Sequence, residues 1–387
     1  MRIQSIDVLR GIAILGILLM NIYFHGIMSM GYVPFDITPQ SDIWVDTFNA
    51  IFADGRFRTL FCILFGAGLA IQMKSCKKKG FNYQDFLKSR LNWLMIFGII
   101  HGVFIFGGDI LFLYAVCALF IIKKLTLPTR DLFRKAKKWL IIGTVINVLF
   151  SILASLAAGL GLEPEMVRGS EAFLEEYNSW MGNYGYQVTI QAIFAAFLVI
   201  SSPLWVFWQV AGLMLLGIYF YRSGFFKRGL TASQFKTIVL VAAALTGLDI
   251  FMRLSYFSVG SEMSSLMASI SAIFMSTLYI HGVIYLLKNN HRWIAVFKAP
   301  GRMAFTLYIM QSVVLAILLR WVFPEVHLTA SMIDYLAMAV GMILFQLVFA
   351  NWYLHQFKQG PLEALWRKAY LASFAKKQAR RAEIISN

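Results

Sequence analysis

Charge is what this sequence has least of. Only 14% of its 387 residues are Asp, Glu, Lys or Arg, whereas a soluble domain carries about 25%. A water-facing surface around so large a chain cannot be covered with so few charges, which argues against a soluble globular protein. Acidic residues are the scarcer sign, 19 against 35 Lys and Arg. The resulting charge of +16 would suit a nucleic-acid binder if it were gathered on one surface. It is instead distributed over alternate connections between apolar runs, as the positive-inside rule requires, so no nucleic acid is expected as partner. The three cysteines, Cys62, Cys76 and Cys117, show no C-x-x-C spacing, and neither a disulfide nor a metal site is indicated. There is no G-x-x-x-x-G-K-[ST] and no H-E-x-x-H, which leaves nucleotide hydrolysis and the familiar zinc sites without support. No repeat at a solenoid period is visible. Arg2, Asp7 and Arg10 precede the first apolar run without a small-residue cleavage pattern after it, so that run reads as an uncleaved helix.

What the chain has in abundance is apolar sequence: 59% hydrophobic residues and a mean hydropathy of +0.69. The expected fold class is all-α, a polytopic integral membrane protein of about ten transmembrane helices with both termini cytoplasmic. The runs lie at 8–28, 57–73, 91–106, from 109 to Lys123, 139–160, 204–221, 235–254, 265–287, 303–322 and 333–354. Residues 184–200 are ambiguous: they either begin the sixth helix or lie along the membrane before Pro203. Lys77, Lys78 and Lys79 mark one inner loop, and the cluster from Lys123 to Lys138 another. The stretch with Glu163, Glu165, Glu171, Glu175 and Glu176 is the most acidic and belongs outside. Glu262 sits in a short polar loop between the seventh and eighth helices. Residues 1–354 form the bundle, and 355–387 form a basic cytoplasmic tail. Within the tail, Gly360-Pro361 makes a turn and the segment bearing Glu363 and Trp366 reads as an amphipathic anchor on the anionic inner leaflet. The location that follows is a bacterial inner (cytoplasmic) membrane, multi-pass, and a homodimer is compatible with it.

The sequence converges on the hairpin RLNWLMIFGIIHGVFIFGGDILFLYA, residues 90–115. His101 lies roughly 15 Å along a helix from Leu91, deep in the hydrocarbon layer. Asp109 stands at the glycine-marked mouth of the hairpin. An ionisable residue at such depth is costly and needs a reason. One is packing: a histidine bonded to a neighbouring helix and an aspartate capping the next. The other is chemistry: His101 as a general base or acyl acceptor, with Asp109 orienting it or its substrate. Asp7 and Arg10, three apart, share a helix face at the inner end of the first helix and can pair; Arg10 is either an interfacial anchor or a phosphate ligand, such as for a coenzyme. Asn21 and His25 lie deeper on the same helix. Arg56 and Arg58 open the second helix at its outer end, where positive charge is disfavoured, and either pair with Asp54 or Asp109 or bind an anionic or sugar-like substrate. Gly66-Ala67-Gly68 reads as a close-packing face. Arg302 begins the ninth helix, with Tyr308 and Gln311 further in.

These pieces together resemble the YeiB-like family of bacterial membrane proteins, a domain of unknown function. The resemblance rests on Asp7-x-x-Arg10-Gly11 with Asn21, Phe65-Gly66-Ala67-Gly68, His101-Gly102, Gly108-Asp109-Ile110-Leu111 with Tyr114, Gly301-Arg302-Met303-Ala304 with Tyr308 and Gln311, and Gly360-Pro361-Leu362-Glu363 with Trp366. It runs from the first helix to the tail. In outline such proteins are similar to transmembrane acyltransferases, a group that includes lysosomal heparan-alpha-glucosaminide N-acetyltransferase. That resemblance implies transfer of an acyl (acetyl) group from cytosolic acyl-CoA to an acceptor in or across the membrane, using a histidine. In the lysosomal enzyme the histidine follows the first helix, where this chain has His25. The YeiB-like pattern places it at His101.

Two functional readings follow. In the first, a membrane O- or N-acyltransferase, acyl-CoA (acetyl-CoA) is the donor and Arg10 and Arg302 hold its phosphates. His101 and Asp109 are then catalytic, and Asn21, Arg56, Arg58, Tyr308 and Gln311 contact an acceptor that is a sugar, lipid or small molecule. In the second, a proton-coupled transporter or exporter, His101 and Asp109 form a proton relay. Saturable binding of acyl-CoA separates them.

Overall fold

The computed structural model describes residues 3–159, 166–254 and 258–386. Glu163 and Glu165 of the expected outer acidic stretch lie outside the described residues. No strand occurs among the described residues: the protein is an all-α, polytopic membrane protein. In lipid every backbone amide must be satisfied within its own segment, and uninterrupted apolar helices do this. Eight helical stretches among the described residues are long and apolar enough to cross a bilayer.

The first stretch is α1 (Gln4–Gly16) continued by α2 (Leu18–His25). The next joins α3 (Gln40–Phe52) to α4 (Arg56–Lys78) through Gly55, whose φ of 70° is left-handed and suits glycine. Asn82 caps α5 (Tyr83–Phe104) by accepting from the Gln84 and Asp85 amides. α6 (Leu111–Ile121) follows the Gly107-Gly108 break and extends into a 3-10 turn at Ile122–Thr126. α7 (Thr129–Gly159) carries the basic cluster on its first turns. After it come α8 (Glu171–Gly182) and α9 (Tyr184–Ser201). α10 (Phe207–Arg222) and the short α11 (Phe225–Arg228) precede the hairpin of α12 (Ala232–Leu254) and α13 (Ser258–Lys288). α14 (Lys298–Arg302), α15 (Ala304–Ile317) with a π turn at Leu318–Val322, α16 (Val326–Thr329), α17 (Met332–Gln356) and α18 (Pro361–Ser386) complete the chain.

All ten runs expected from sequence are largely helical over their described residues, but those at 91–106, from 109 to Lys123 and at 204–221 are not among the eight stretches long and apolar enough to cross. Residues 184–200, ambiguous from sequence, form α9, a helix of its own and apolar enough to span. α6 is too short to cross alone, since 11 residues rise only about 16 Å. Glu262 is on the backbone of α13 rather than in a loop.

The core is a column of α1, α4 and α10. Residues Gln209 to Ile218 of α10 are all buried, while windows of α9 and α12 are only 17% buried and present their side chains to lipid. α4 and α10 meet backbone to backbone. A Cβ at Gly66 would overlap the Met214 carbonyl, and one at Gly217 the Ile63 carbonyl. Lipid-embedded helices gain little from burying apolar area and associate through such close contacts of small residues. Gly11 and Gly301 do the same for α1 and α14, each abutting a carbonyl of the other segment. Gly68 differs: nothing lies within 4 Å of a Cβ built there.

The tail helix α18 is more than a surface anchor. Trp366, Tyr370 and Phe374 are buried, the Trp366 indole donates to the Arg90 carbonyl at 3.0 Å, and Arg381 reaches Asp85 at 3.0 Å. These contacts clamp the tail along α5.

Candidate functional site

The α5–α6 turn creates a dyad. α5 ends one turn beyond His101, and the chain folds back so that Asp109 caps α6, accepting from the Phe112 amide through Oδ2 at 3.1 Å. Its other oxygen, Oδ1, faces His101 Nδ1 at 2.9 Å. Gly98 permits this, since a Cβ there would press on both the Phe112 amide and the Asp109 carboxylate. Both partners are buried, 2% and 4% exposed. His101 Nε2 is buried and has no hydrogen-bond partner among the described residues. Capping and histidine contact, alternatives in the sequence, are both performed by the one carboxylate.

His25, the rival position, is in the same place. Its ring lies 4.4 Å from that of Phe106, and His101 flanks the same ring at 6.2 Å. Both His25 ring nitrogens are buried without partners among the described residues, as are both polar atoms of the Gln191 side chain and Gln311 Oε1. A buried polar atom left unmade costs about 1–3 kcal/mol, so this group is suited to receive a polar ligand or solvent. Arg320 ties the region together, donating to the carbonyls of His25, Gly26 and Ile105 at 3.0 Å each. It thereby links the ends of the two histidine-bearing helices.

A cavity of about 220 Å³ leads toward the dyad from the basic side of the bundle. Arg10, Arg90, Arg302, Glu363 and Trp366 line its mouth, Ile14, Phe61, Leu64, Phe65 and Leu94 its apolar throat, and Ile110, Leu111 and Tyr308 the region next to the dyad. The Tyr308 ring lies tilted against His101 with its centroid 5.1 Å away, so Tyr308 is the wall between cavity and histidine. Gly68 lines the throat, and its missing side chain leaves that space open.

Arg10 and Arg302 are therefore both at the mouth. Arg10 is 3.6 Å from Asp7, as their spacing suggests, and 3.4 Å from the Gly301 carbonyl. Arg302 donates to the Lys358 carbonyl at 2.8 Å. Sequence reasoning missed Arg90, whose guanidinium lies 3.9 Å over the Trp366 ring. The available signal was the one that singled out Arg10 and Arg302, an arginine where a basic loop meets an apolar run. Glu363 was read only as part of an anchor. It accepts from the Phe305 and Thr306 amides and from the Thr306 hydroxyl, and burial pushes its carboxyl up from the ordinary value against these bonds.

The other expected contacts are met only in part. Arg56 is fully buried and donates to the carbonyl of Asp54, one of its expected partners, and to Ser271 at 3.0 Å, with Asp249 at 3.9 Å. Beside it Arg253 clamps Asp46, Asp54 and Asp249. A buried guanidinium must be compensated, and here the compensation comes from α12 and α13, which makes Arg56 a brace for the α3–α4 turn. Arg58 lines a separate cavity with Asn147, Ser151 and Gln209. Asn21 is half-buried on α2 and does not line the cavity. Gln311 donates to the Ile14 carbonyl at 3.3 Å, one helical turn from Tyr308.

Residues 220–373 match the family described as "Protein of unknown function (DUF418)", a stretch that includes Arg302, Glu363 and Trp366 of the mouth and Tyr308 beside the dyad. Over nearly full length the chain is 27% identical to the "Uncharacterized protein YeiB" of Escherichia coli, covering 95% of this chain and 96% of that one. It is 29% identical to the "Uncharacterized protein YxaH" of Bacillus subtilis, covering 96% and 95%. It is also 30% identical to the "Uncharacterized 39.9 kDa protein in amylase 3'region" of Bacillus acidopullulyticus, covering 95% and 93%. With end-to-end similarity to these three, the chain belongs to the YeiB-like, DUF418 family of proteins.

Proposed function

We propose that the protein is an acyltransferase of the bacterial inner membrane that takes an acyl group, acetyl being the smallest, from acyl-CoA. The observation that supports this best is the pairing of two features: a His–Asp dyad with its outer nitrogen unpartnered, and an arginine-ringed cavity reaching the wall beside it. Three guanidiniums at one mouth suit the phosphates of a coenzyme, because a planar fork binds phosphate oxygens in pairs. The apolar throat suits the uncharged arm that carries the thioester.

In this reading Asp109 accepts the Nδ1 proton of His101 and holds the lone pair on Nε2. Nε2 takes the proton of an acceptor hydroxyl or amine as its oxygen or nitrogen bonds to the acyl carbon. Collapse of the tetrahedral intermediate breaks the carbon–sulfur bond, and the thiolate recovers the proton from His101. Tyr308 must shift for the thioester to meet the histidine. His25, with two open nitrogens beside Phe106, supports a second reading, a proton-coupled transporter in which the two histidines relay protons.

Titration with acetyl-CoA tests the donor site. Arg302→Ala is expected to weaken binding, leaving a salt-sensitive residue of affinity from Arg10 and Arg90. Arg302→Lys should restore only part, since lysine lacks the fork. Unchanged affinity in both variants returns Arg302 to an anchoring role.

A further inference from the structure

A second hollow, which shares no lining residue with the first, reaches the dyad. It is a groove of about 330 Å³ between α5, α6 and α9, lined by Gly98 and Gly102, by Asp109 and Phe112, and by Ala192 and Ala195 among others. Its walls are apolar apart from Asp109, the same carboxylate that holds His101. Gly102 opens the groove: a Cβ there would fill it, in van der Waals contact with Asp109 Cβ at 3.5 Å and Ala195 Cβ at 3.7 Å. At the rim Ile99 is 50% and Ile200 77% exposed, and Ile193 and Phe197 continue this face of α9. So long a run of exposed large apolar residues on a spanning helix faces hydrocarbon.

We propose that the acceptor is a membrane-dissolved molecule bearing a hydrocarbon chain and a hydroxyl or amine, which enters sideways through this groove. The inference rests on the acyltransferase reading and names the acceptor class for it. Water-soluble sugars would have no reason to enter a slot whose solvent is lipid tails. An alkyl chain can lie along the Gly and Ala floor, and its polar end then meets the Asp109 carboxylate, the one polar side chain among the described residues that line the groove. Chain packing gives little net affinity in a lipid solvent, so the bond at the polar end selects the occupant and the shape of the floor orients it. Donor and acceptor thus reach the dyad from two sides, past Tyr308 and past Asp109. The acceptor's O–H or N–H proton passes to His101, its oxygen or nitrogen bonds to the acyl carbon, and the coenzyme leaves as the thiol.

The probe is dodecanol carrying a terminal diazirine, in trace amount in phosphatidylethanolamine–phosphatidylglycerol nanodiscs holding the full chain, with adducts mapped by mass spectrometry. Labelling at Val103 and Leu198 is expected to be saturable by unlabelled dodecanol and lost in Ala195→Trp, while labelling at Ile193 is unsaturable and unchanged. Groove labelling that behaves like Ile193, or that persists in Ala195→Trp, overturns the proposal and leaves ordinary boundary lipid there. Acetyl-CoA titration of the same samples keeps the two readings apart. Donor binding without saturable groove labelling overturns only the groove; groove labelling without donor binding overturns only the acyltransferase. Should Ala195→Trp fail to insert, Gly102→Ala with Ala195→Val narrows the same floor and is held to the same outcomes.

Discussion

His101→Gln is expected to give a folded, membrane-inserted protein that binds acetyl-CoA normally and transfers nothing. Glutamine fills similar space, and its amide can donate to Asp109 Oδ1 where Nδ1 now stands at 2.9 Å, so the α5–α6 turn survives. It cannot take up a proton at neutral pH. General-base catalysis is worth roughly 10²–10⁴ in rate, and loss of that order in turnover without change in donor affinity is the expected signature. Asp109→Asn keeps an acceptor for the Phe112 amide but turns an N–H toward His101 Nδ1, which places the ring proton on Nε2, so turnover is expected to fall about as far as in His101→Gln. His25→Gln is the control, since His25 flanks the same Phe106 ring. Full turnover in His101→Gln with loss in His25→Gln would move the base to α2.

The second expected result separates two glycines on α4. Gly66→Leu should prevent assembly, because its Cβ would overlap the backbone of Met214 and no flexible side chain is there to yield. Overpacking a filled site costs about 1–3 kcal/mol or more, against a total stability of about 5–15 kcal/mol. Gly68→Leu should fold as well as the parent, since nothing lies within 4 Å of its Cβ. Its side chain would enter the cavity that Gly68 lines, and donor affinity should drop by at least roughly tenfold, about 1.4 kcal/mol. Thermal unfolding in detergent and acetyl-CoA titration read the two effects separately. Wild-type affinity in a well-folded Gly68→Leu protein would show that the donor does not use this cavity.

The helices were legible because a spanning helix must be a long apolar run, and ten such runs stand out. α9 was obscured by Pro203 directly behind it, which suits a helix end as well as a surface segment. The dyad was half legible: His101 and Asp109 stand eight residues apart across a glycine turn, so local sequence suggests their contact. The approach of His25 was not, because it depends on how α2 packs against the loop at Phe106. Arg56 was legible in part: its contact with Asp54 is local, whereas Asp249 and Ser271 are distant in sequence, and an arginine compensated from afar also looks like one awaiting a ligand. From sequence Gly66-Ala67-Gly68 reads as a single packing face, whereas Gly66 and the fully buried Ala67 pack and Gly68 opens the throat.

The most direct test of the acyltransferase reading is thiol release from acetyl-CoA by the purified chain in bacterial-lipid vesicles supplied with dodecanol as the acyl acceptor. The account predicts steady release of coenzyme thiol from the wild type, reduced to background in His101→Gln although that variant still binds the donor. A wild-type chain that leaves the thioester intact, or a His101→Gln chain that releases thiol at the wild-type rate, would contradict it.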